Sequence, residues 1–148
     1  MPIKILSDQV QEFILIKSDK EFDNEGEPTT ISVRQATQGD FEIRNNLFAN
    51  FKRRYEGNAI TVEQTLSFDD IRRKEVFLTL TACNIIDDSG GKEKPLFVFS
   101  NGRLTDEAKF RRAWAKLHPI VAEEISQCVL KMNPLWSGEG ELEGEPED

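Results

Sequence analysis

The order of apolar and polar residues predicts two short strands near the start of the chain. Residues 10–16, VQEFILI, are rich in strand formers, and residues 31–36, ISVRQA, alternate apolar and polar. The acidic segment between them holds Gly26 and Pro28 and reads as a loop or a wide hairpin connection. A calcium loop that starts at Asp19 is disfavoured, because Asn24 occupies the position where the tight turn needs glycine.

Helical periodicity then predicts a long helix over residues 37–57. Thr37 can cap its first turn, and Asp40 lies near its positive end. Gly57 can end the helix in a left-handed conformation, after the basic run at residues 52–54. One face of this helix carries an apolar stripe that is most simply core: Phe41, Leu47, Phe48, Phe51 and Tyr55.

Residues 67–85 carry two competing patterns. Ser67 with Asp70 is typical of a capping box, while residues 76–81 are β-branched and aromatic with a period of two. This favours a short helix that runs into a strand, and one continuous helix stays open. A glycine-rich turn at 87–94, a strand at 95–99 and a second turn at 100–102 follow.

A C-terminal helical hairpin is predicted over residues 105–133. Thr105 opens the first helix, Pro119 suits the first position of the second, and Asn133-Pro134 ends it. Both helices carry apolar residues at helical spacing, and these form the stripe Phe110, Trp114, Leu117, Val121, Ile125 and Met132. Trp136 follows, and we expect it to be half exposed because an acidic tail comes next.

The fold class predicted from these elements is α+β. We expect one small globular domain over residues 1–136, with short antiparallel strands and the helical hairpin, and a disordered acidic tail over residues 137–148. The chain has 148 residues, 38% of them hydrophobic, with ten Phe and two Trp to supply a core. A single domain of this length can bury about two thirds of its unfolded surface.

The net charge of −8 is placed unevenly. Six of the 27 acidic residues lie after Trp136, so the remainder carries 21 acidic against 19 basic residues, about −2. This balance disfavours nucleic-acid binding, which depends on attraction to phosphates. Cys83 and Cys128 lie in apolar settings typical of free thiols in a reducing compartment. No signal-peptide or membrane-spanning run is evident, so we expect an intracellular protein.

Catalytic chemistry is poorly supported by the residue types. His118 is the only histidine, and its place before Pro119 favours a capping or surface role. Neither cysteine has a sequence neighbourhood that would activate it. The sequence contains no metal-binding CxxC, HxxxH or HExxH motif and no phosphate-binding loop. We therefore expect no catalytic site, no metal site and no cofactor.

The segments VFLTLTACNIIDDSGGKEKPLFVF and FRRAWAKLHPIVAEEISQCVLKMNPLW together resemble the tail assembly chaperones of long-tailed bacteriophages. The likeness consists of an aromatic-Ala-Trp helix, a Leu-x-Pro hinge, a Val-Ala-x-Glu-Ile helix and a closing Asn-Pro-x-Trp. The segment ISVRQATQGDFEIRNNLF is similar to the family's earlier strand-to-helix segment. The likeness touches most of residues 31–136.

The resemblance implies a non-enzymatic protein of the host cytoplasm. Such a chaperone binds the aggregation-prone tape-measure protein, helps to recruit tail tube subunits, and is absent from the mature virion. The expected partners are therefore the tape-measure protein and the tube protein, with self-association possible. Because amphipathic helices bind in grooves, the partner-binding hypothesis falls on the hairpin residues: Phe110, Trp114, Leu117, Val121, Ile125, Met132 and Trp136.

Three other functions stay open at this point. The first is a permanent phage structural component, such as a tail-completion or connector subunit. The second is a small host-directed regulatory binder, and the third is an enzyme that uses the lone histidine. Basic residues at 52–54, 72–74 and 111–112 are most simply solvated helix surfaces, and docking to an acidic partner is the alternative.

Overall fold

The computed structural model describes residues 9–57 and 68–137, and for residues 48–57 and 68 it describes the backbone alone. Several expectations fall outside this description. They are the Ser67 cap, the basic run at 52–54, the side chains of Phe48, Phe51 and Tyr55, and the tail beyond residue 137. The described residues form a small single α+β domain, so the predicted fold class is confirmed.

A three-stranded antiparallel sheet contains both predicted strands. Strand β1 (Val10–Ile14) pairs with β2 (Thr30–Arg34), and β2 pairs with β3 (Leu80–Cys83). The order is β1-β2-β3, so β2 is central, and a bulge lies between Ser32 and Val33. Alternation places the apolar residues of β2, Ile31 and Val33, on the buried face.

The expected loop between β1 and β2 contains a short helix, α1 (Ile16–Glu21). The Glu124 carboxylate, more than 100 residues away in sequence, accepts hydrogen bonds from the backbone amides of Lys17 at 3.0 Å and Ser18 at 2.8 Å. These amides belong to the first turn of the helix, whose backbone N–H groups have no hydrogen-bond acceptors within the helix itself. The cap therefore comes from tertiary structure, and local sequence could not reveal it.

Helix α2 (Gln38–Gly57) confirms the predicted long helix. The Thr37 hydroxyl accepts from the Asp40 amide at 3.2 Å, and the Asp40 carboxylate accepts from the Thr37 amide at 2.9 Å, which forms a capping box. Asp40 also accepts from the buried Arg34 guanidinium at 2.7 Å. Arg34 donates further to the Leu78 carbonyl at 2.6 Å, so this cap ties β2 and α2 to the helix that follows, α3 (Phe68–Thr79).

The ambiguous segment is a helix that leads directly into a strand, as favoured. Helix α3 (Phe68–Thr79) includes residues 76–79, although their composition favours a strand, and β3 follows it directly. The predicted strand at 95–99 is wrong. Only β4 (Ile86–Asp87) and β5 (Lys94–Pro95) pair across the glycine-rich turn, and residues 96–99 have no ladder. Phe97 is nevertheless buried, so its side chain packs without a strand around it.

The C-terminal helices begin and end close to the predicted residues. Helix α4 (Glu107–Trp114) is capped by Asp106 rather than Thr105, because the Asp106 side chain accepts from the Lys109 amide. Helix α5 (Pro119–Met132) starts at the proline and stops at Asn133, before a 3₁₀ turn, Pro134–Trp136. Both helices pack against α3, which lies at the centre of the domain.

The core lies between the sheet, α3 and α5. Its apolar centre includes fully buried side chains from each of these elements: Ile31, Val33, Val76, Leu80, Ile125 and Val129. Most polar groups that enter the core have partners, as burial requires; the Gln35 Oε1 and the Trp136 indole N–H have none among the described residues. Asn133 accepts from the Ala36 amide at 2.7 Å and so joins the end of α5 to the segment after β2.

Candidate functional site

An open cleft of about 1070 Å³ lies where α4 turns into α5. The walls come from three distant parts of the chain: α1 with the loop after it, the segment around β4, and the junction of α4 and α5. Leu117 and Val121 contribute partly buried apolar side chains from the junction. The cleft is therefore assembled by the fold, and no continuous segment contains it.

Two exposed apolar side chains add to this surface. Phe22 follows α1 and is 51% exposed, and Ile86 in β4 is 55% exposed. Both line the cleft, together with the partly buried Ile85 and Leu96. Large apolar side chains that stay half exposed and converge on one concavity are typical of a binding surface.

A hydrogen-bonded loop holds Phe22 in place. The Asp19 carboxylate accepts from the Thr29 hydroxyl at 2.6 Å, the Thr29 amide at 3.0 Å and the Asn24 side chain at 2.8 Å. Burial alone would raise the pKa of Asp19, but these hydrogen bonds outweigh it and lower the pKa. Asp19 thus organises the loop, and the segment predicted as a solvated acidic loop is anchored at its base.

An ion pair braces the opposite wall. Lys116 donates to the Asp87 carboxylate at 2.8 Å, and Ser89 donates through its hydroxyl at 2.6 Å and its amide at 2.9 Å. The bond from Lys116, with those from Ser89, holds the pKa of Asp87 well below its usual range. The carboxylate is therefore ionised and fully engaged, and it is not a free acid or base.

His118 lies at the rim of the cleft and has a structural role. Its Nδ1 accepts from the Ile120 amide at 3.1 Å, so it caps α5, as the position before Pro119 predicted. Its ring meets Phe22 edge-on, with the centroids 5.1 Å apart.

The remaining chemical groups do not converge on the cleft. Burial raises the pKa of the Cys83 thiol and of the Cys128 thiol to about 11, which disfavours the reactive thiolate at neutral pH. Across residues 9–57 and 68–137, no group of three His, Cys, Asp or Glu side chains could hold a metal ion. Within the same ranges, no helix combines the length and apolar character needed to cross a membrane.

The seven predicted partner-binding residues separate into two groups. Phe110, Ile125 and Trp136 are at most 3% exposed and belong to the core. In this conformation they cannot contact a partner, and the expected half exposure of Trp136 is wrong. Its indole packs against Phe41 at 5.4 Å, because the 3₁₀ turn folds the chain back onto α2.

The other four residues are Trp114, Leu117, Val121 and Met132, and all are partly buried. Of these, Leu117 and Val121 line the cleft. Sequence reasoning missed Phe22, which lies in the segment interpreted as a loop, and Ile86, which lies between the segment 67–85 and the predicted turn at 87–94. The one available signal was the apolar character of these residues within polar segments, at 22 in EFDNE and at 85–86 in NIIDD.

The chain is thus a small α+β domain with an open cleft that exposes several apolar side chains. Comparisons with protein-family models, with curated proteins and with solved structures gave no match. The function is therefore inferred from the site and from the sequence resemblance described above.

Proposed function

We propose that this protein is a phage tail assembly chaperone. In this role it binds apolar helices of the tape-measure protein in the host cytoplasm and helps to recruit tail tube subunits. It leaves before the virion matures. The single observation that carries the proposal is the open apolar cleft at the α4–α5 junction, built around Leu117, Val121, Phe22 and Ile86.

The size of the cleft suits a short helical segment. Two turns of α-helix are about 11 Å long and about 10–12 Å wide, which corresponds to roughly 850–1200 Å³. The cleft, at about 1070 Å³, is of the same order and open to solvent, so we expect it to cover one short segment of a partner helix at a time. A long tape-measure helix would then need several copies of the chaperone along its length.

The chemistry of the walls suits reversible binding. Phe22 and Ile86 each keep about half of their surface in water, so covering them stabilises a complex without requiring the chaperone to unfold. Each gives a modest gain, because only the exposed part becomes buried. The net charge of the protein also favours a soluble complex. At a net charge of −8, loaded complexes repel one another and stay soluble.

Co-expression tests this proposal. The tape-measure protein encoded in the same phage genome is produced alone, with this chain, or with the Ile86→Asp variant. We expect the wild-type chain to hold the tape-measure protein in the soluble fraction. Ile86→Asp should return it to the pellet, because the variant replaces an exposed apolar contact with an unpaired charge that a bound helix would have to desolvate.

Leu135→Asp is the matched control. Leu135 is also an aliphatic residue and is 60% exposed, but it does not line the cleft. This variant should hold the tape-measure protein as well as the wild type does. Equal loss in both variants, or no effect of the wild-type chain, would contradict the proposal. Stoichiometric amounts of the chain in purified virions would instead favour a permanent structural component.

A further inference from the structure

Strand β1 has an edge whose backbone groups have no partner in the described residues. The Gln9 carbonyl accepts from the Gln35 amide at 3.2 Å, and the Leu15 amide donates to the Thr29 carbonyl at 2.8 Å. Bonded residues alternate along an antiparallel strand, so the odd-numbered residues of β1 face β2. The amides and carbonyls of Val10, Glu12 and Ile14 therefore point away from the sheet.

The side chains of the same three residues share one exposed face. Val10 is 50% exposed and Ile14 is 49% exposed, and the exposed Glu12 lies between them. Across β2, the positions opposite these residues are Arg34, Ser32 and Thr30. Ser32 and Thr30 are small, and the Arg34 side chain is buried and paired with Asp40, so it does not neutralise Glu12. No ion pair within the described ranges engages Glu12. The edge thus presents an apolar-acidic-apolar pattern at two-residue spacing.

We propose that β1 is a docking edge for an extended peptide segment of a partner protein, which adds a fourth antiparallel strand to the sheet. Backbone hydrogen bonds to Val10, Glu12 and Ile14 would supply the affinity. In the partner segment, the residue opposite Glu12 is Lys or Arg, because opposed side chains share a face. The partner residues two positions to either side of it lie opposite Val10 and Ile14 and are apolar. The pattern is apolar-x-Lys/Arg-x-apolar.

Charge argues against a second copy as the occupant. Two β1 strands paired about a two-fold axis in the register that matches Val10 with Ile14 would oppose Glu12 to Glu12. Like charges directly opposite one another destabilise a strand pair. A carboxylate on an edge is also a known device against self-pairing. Val10, Glu12 and Ile14 do not line the apolar cleft, and the docking edge does not depend on the proposed chaperone function.

Amide exchange and peptide titration test this inference. The full chain is labelled with ¹⁵N and titrated to millimolar concentration with the heptapeptide Thr-Ile-Thr-Lys-Thr-Val-Thr, blocked at both ends. We expect the amides of Val10, Glu12 and Ile14 to exchange quickly in the free protein. They should shift and become protected as peptide is added, while amides around Phe22 and Ile86 stay unchanged.

A charge exchange provides the matched control. The same peptide with Glu in place of Lys should bind about 2- to 30-fold more weakly. In the Glu12→Lys variant, which changes an exposed side chain and should fold normally, this preference should reverse. Equal affinity for both peptides, or no shift at millimolar concentration, would overturn the inference. Slow exchange at Val10, Glu12 and Ile14 in the free chain would overturn it too, because residues 1–8 or a second copy would then cover the edge.

Discussion

Truncation of Trp136 should destabilise the protein strongly, although this residue lies close to the acidic C-terminal sequence. Trp136 is 2% exposed, packs against Phe41, and lies beneath the Arg44 guanidinium, 5.6 Å from its ring centroid. A buried tryptophan removes about 150–250 Å² from water. At about 25 cal/mol per Å² this corresponds to at most about 4–6 kcal/mol, since the unfolded chain already buries part of that surface.

Two smaller contributions modify this value. The indole N–H is buried without a hydrogen-bond partner in the described structure, which costs about 1–3 kcal/mol and is relieved by truncation. The Arg44 contact contributes about 0.5–1 kcal/mol in the opposite direction. We therefore expect Trp136→Ala to lower the free energy of unfolding by about 3–4 kcal/mol, within the range for aromatic truncation in a core.

Urea unfolding followed by far-ultraviolet circular dichroism measures this loss. With a denaturant dependence of about 2 kcal/mol per molar, the midpoint should fall by about 1.5–2 M. Leu135→Ala is the control in the same 3₁₀ turn, because Leu135 is 60% exposed and should change stability by less than about 0.5 kcal/mol. A loss below about 1 kcal/mol for Trp136→Ala would refute the placement of this side chain in the core.

Three further predictions concern ionisable groups that are buried or partly buried. Glu75 is 1% exposed and accepts from Arg44 and Arg72, so Glu75→Ala should lower the unfolding free energy by about 3–5 kcal/mol in thermal or urea unfolding. A loss under about 1 kcal/mol would mean that this network does not stabilise the fold. The folded pKa of Asp40 is lowered, because the bonds from Arg34 and Thr37 outweigh the opposing effect of burial. The stability that the ionised Asp40 contributes is fully present above the unfolded pKa of about 3.9 and is lost as pH falls through the folded pKa. The urea midpoint of the Asp40→Asn variant should therefore decline less in acid than that of the wild type. The pKa values of the Cys83 and Cys128 thiols are raised from 9.0 to about 11 in the folded protein. At pH 8 both thiols should therefore react with a disulfide reagent about 100-fold more slowly in the folded protein than in urea. Equal rates in the two states would contradict their burial.

Local signals in the sequence were sufficient for elements whose boundaries are set locally. Thr37 and Asp40 cap α2 through their own side chains, and the His118-Pro119 pair starts α5. Helix α1 was missed because the carboxylate at its first turn belongs to Glu124, on another helix. No local pattern encodes such a contact.

Residues 96–99 show the converse error. Their composition favours a strand, but no strand among the described residues pairs with them. The antiparallel pair ends at Lys94–Pro95, with Phe97 in the core and Val98 56% exposed. Trp136 was expected at the surface because of the acidic sequence after it, whereas the turn at Pro134 brings it back onto α2. Strand formation and burial both depend here on partners distant in sequence.

The candidate site was predictable only in part for the same reason. Leu117 and Val121 lie on a periodic helical stripe and were found from their spacing. Phe22 and Ile86 lie outside any periodic segment, and only the tertiary fold brings them to the cleft. A surface assembled from three segments cannot be read from any one of them.

The most direct test of the chaperone account is site-specific cross-linking in infected cells. A photoreactive residue is placed at position 86, in the cleft, and separately at position 135, which is equally exposed but lies outside the cleft. The account predicts that position 86 captures apolar helical segments of the tape-measure protein during tail assembly, while position 135 captures far less. Capture at position 135 equal to that at position 86, or no tape-measure adduct at either position, would contradict it.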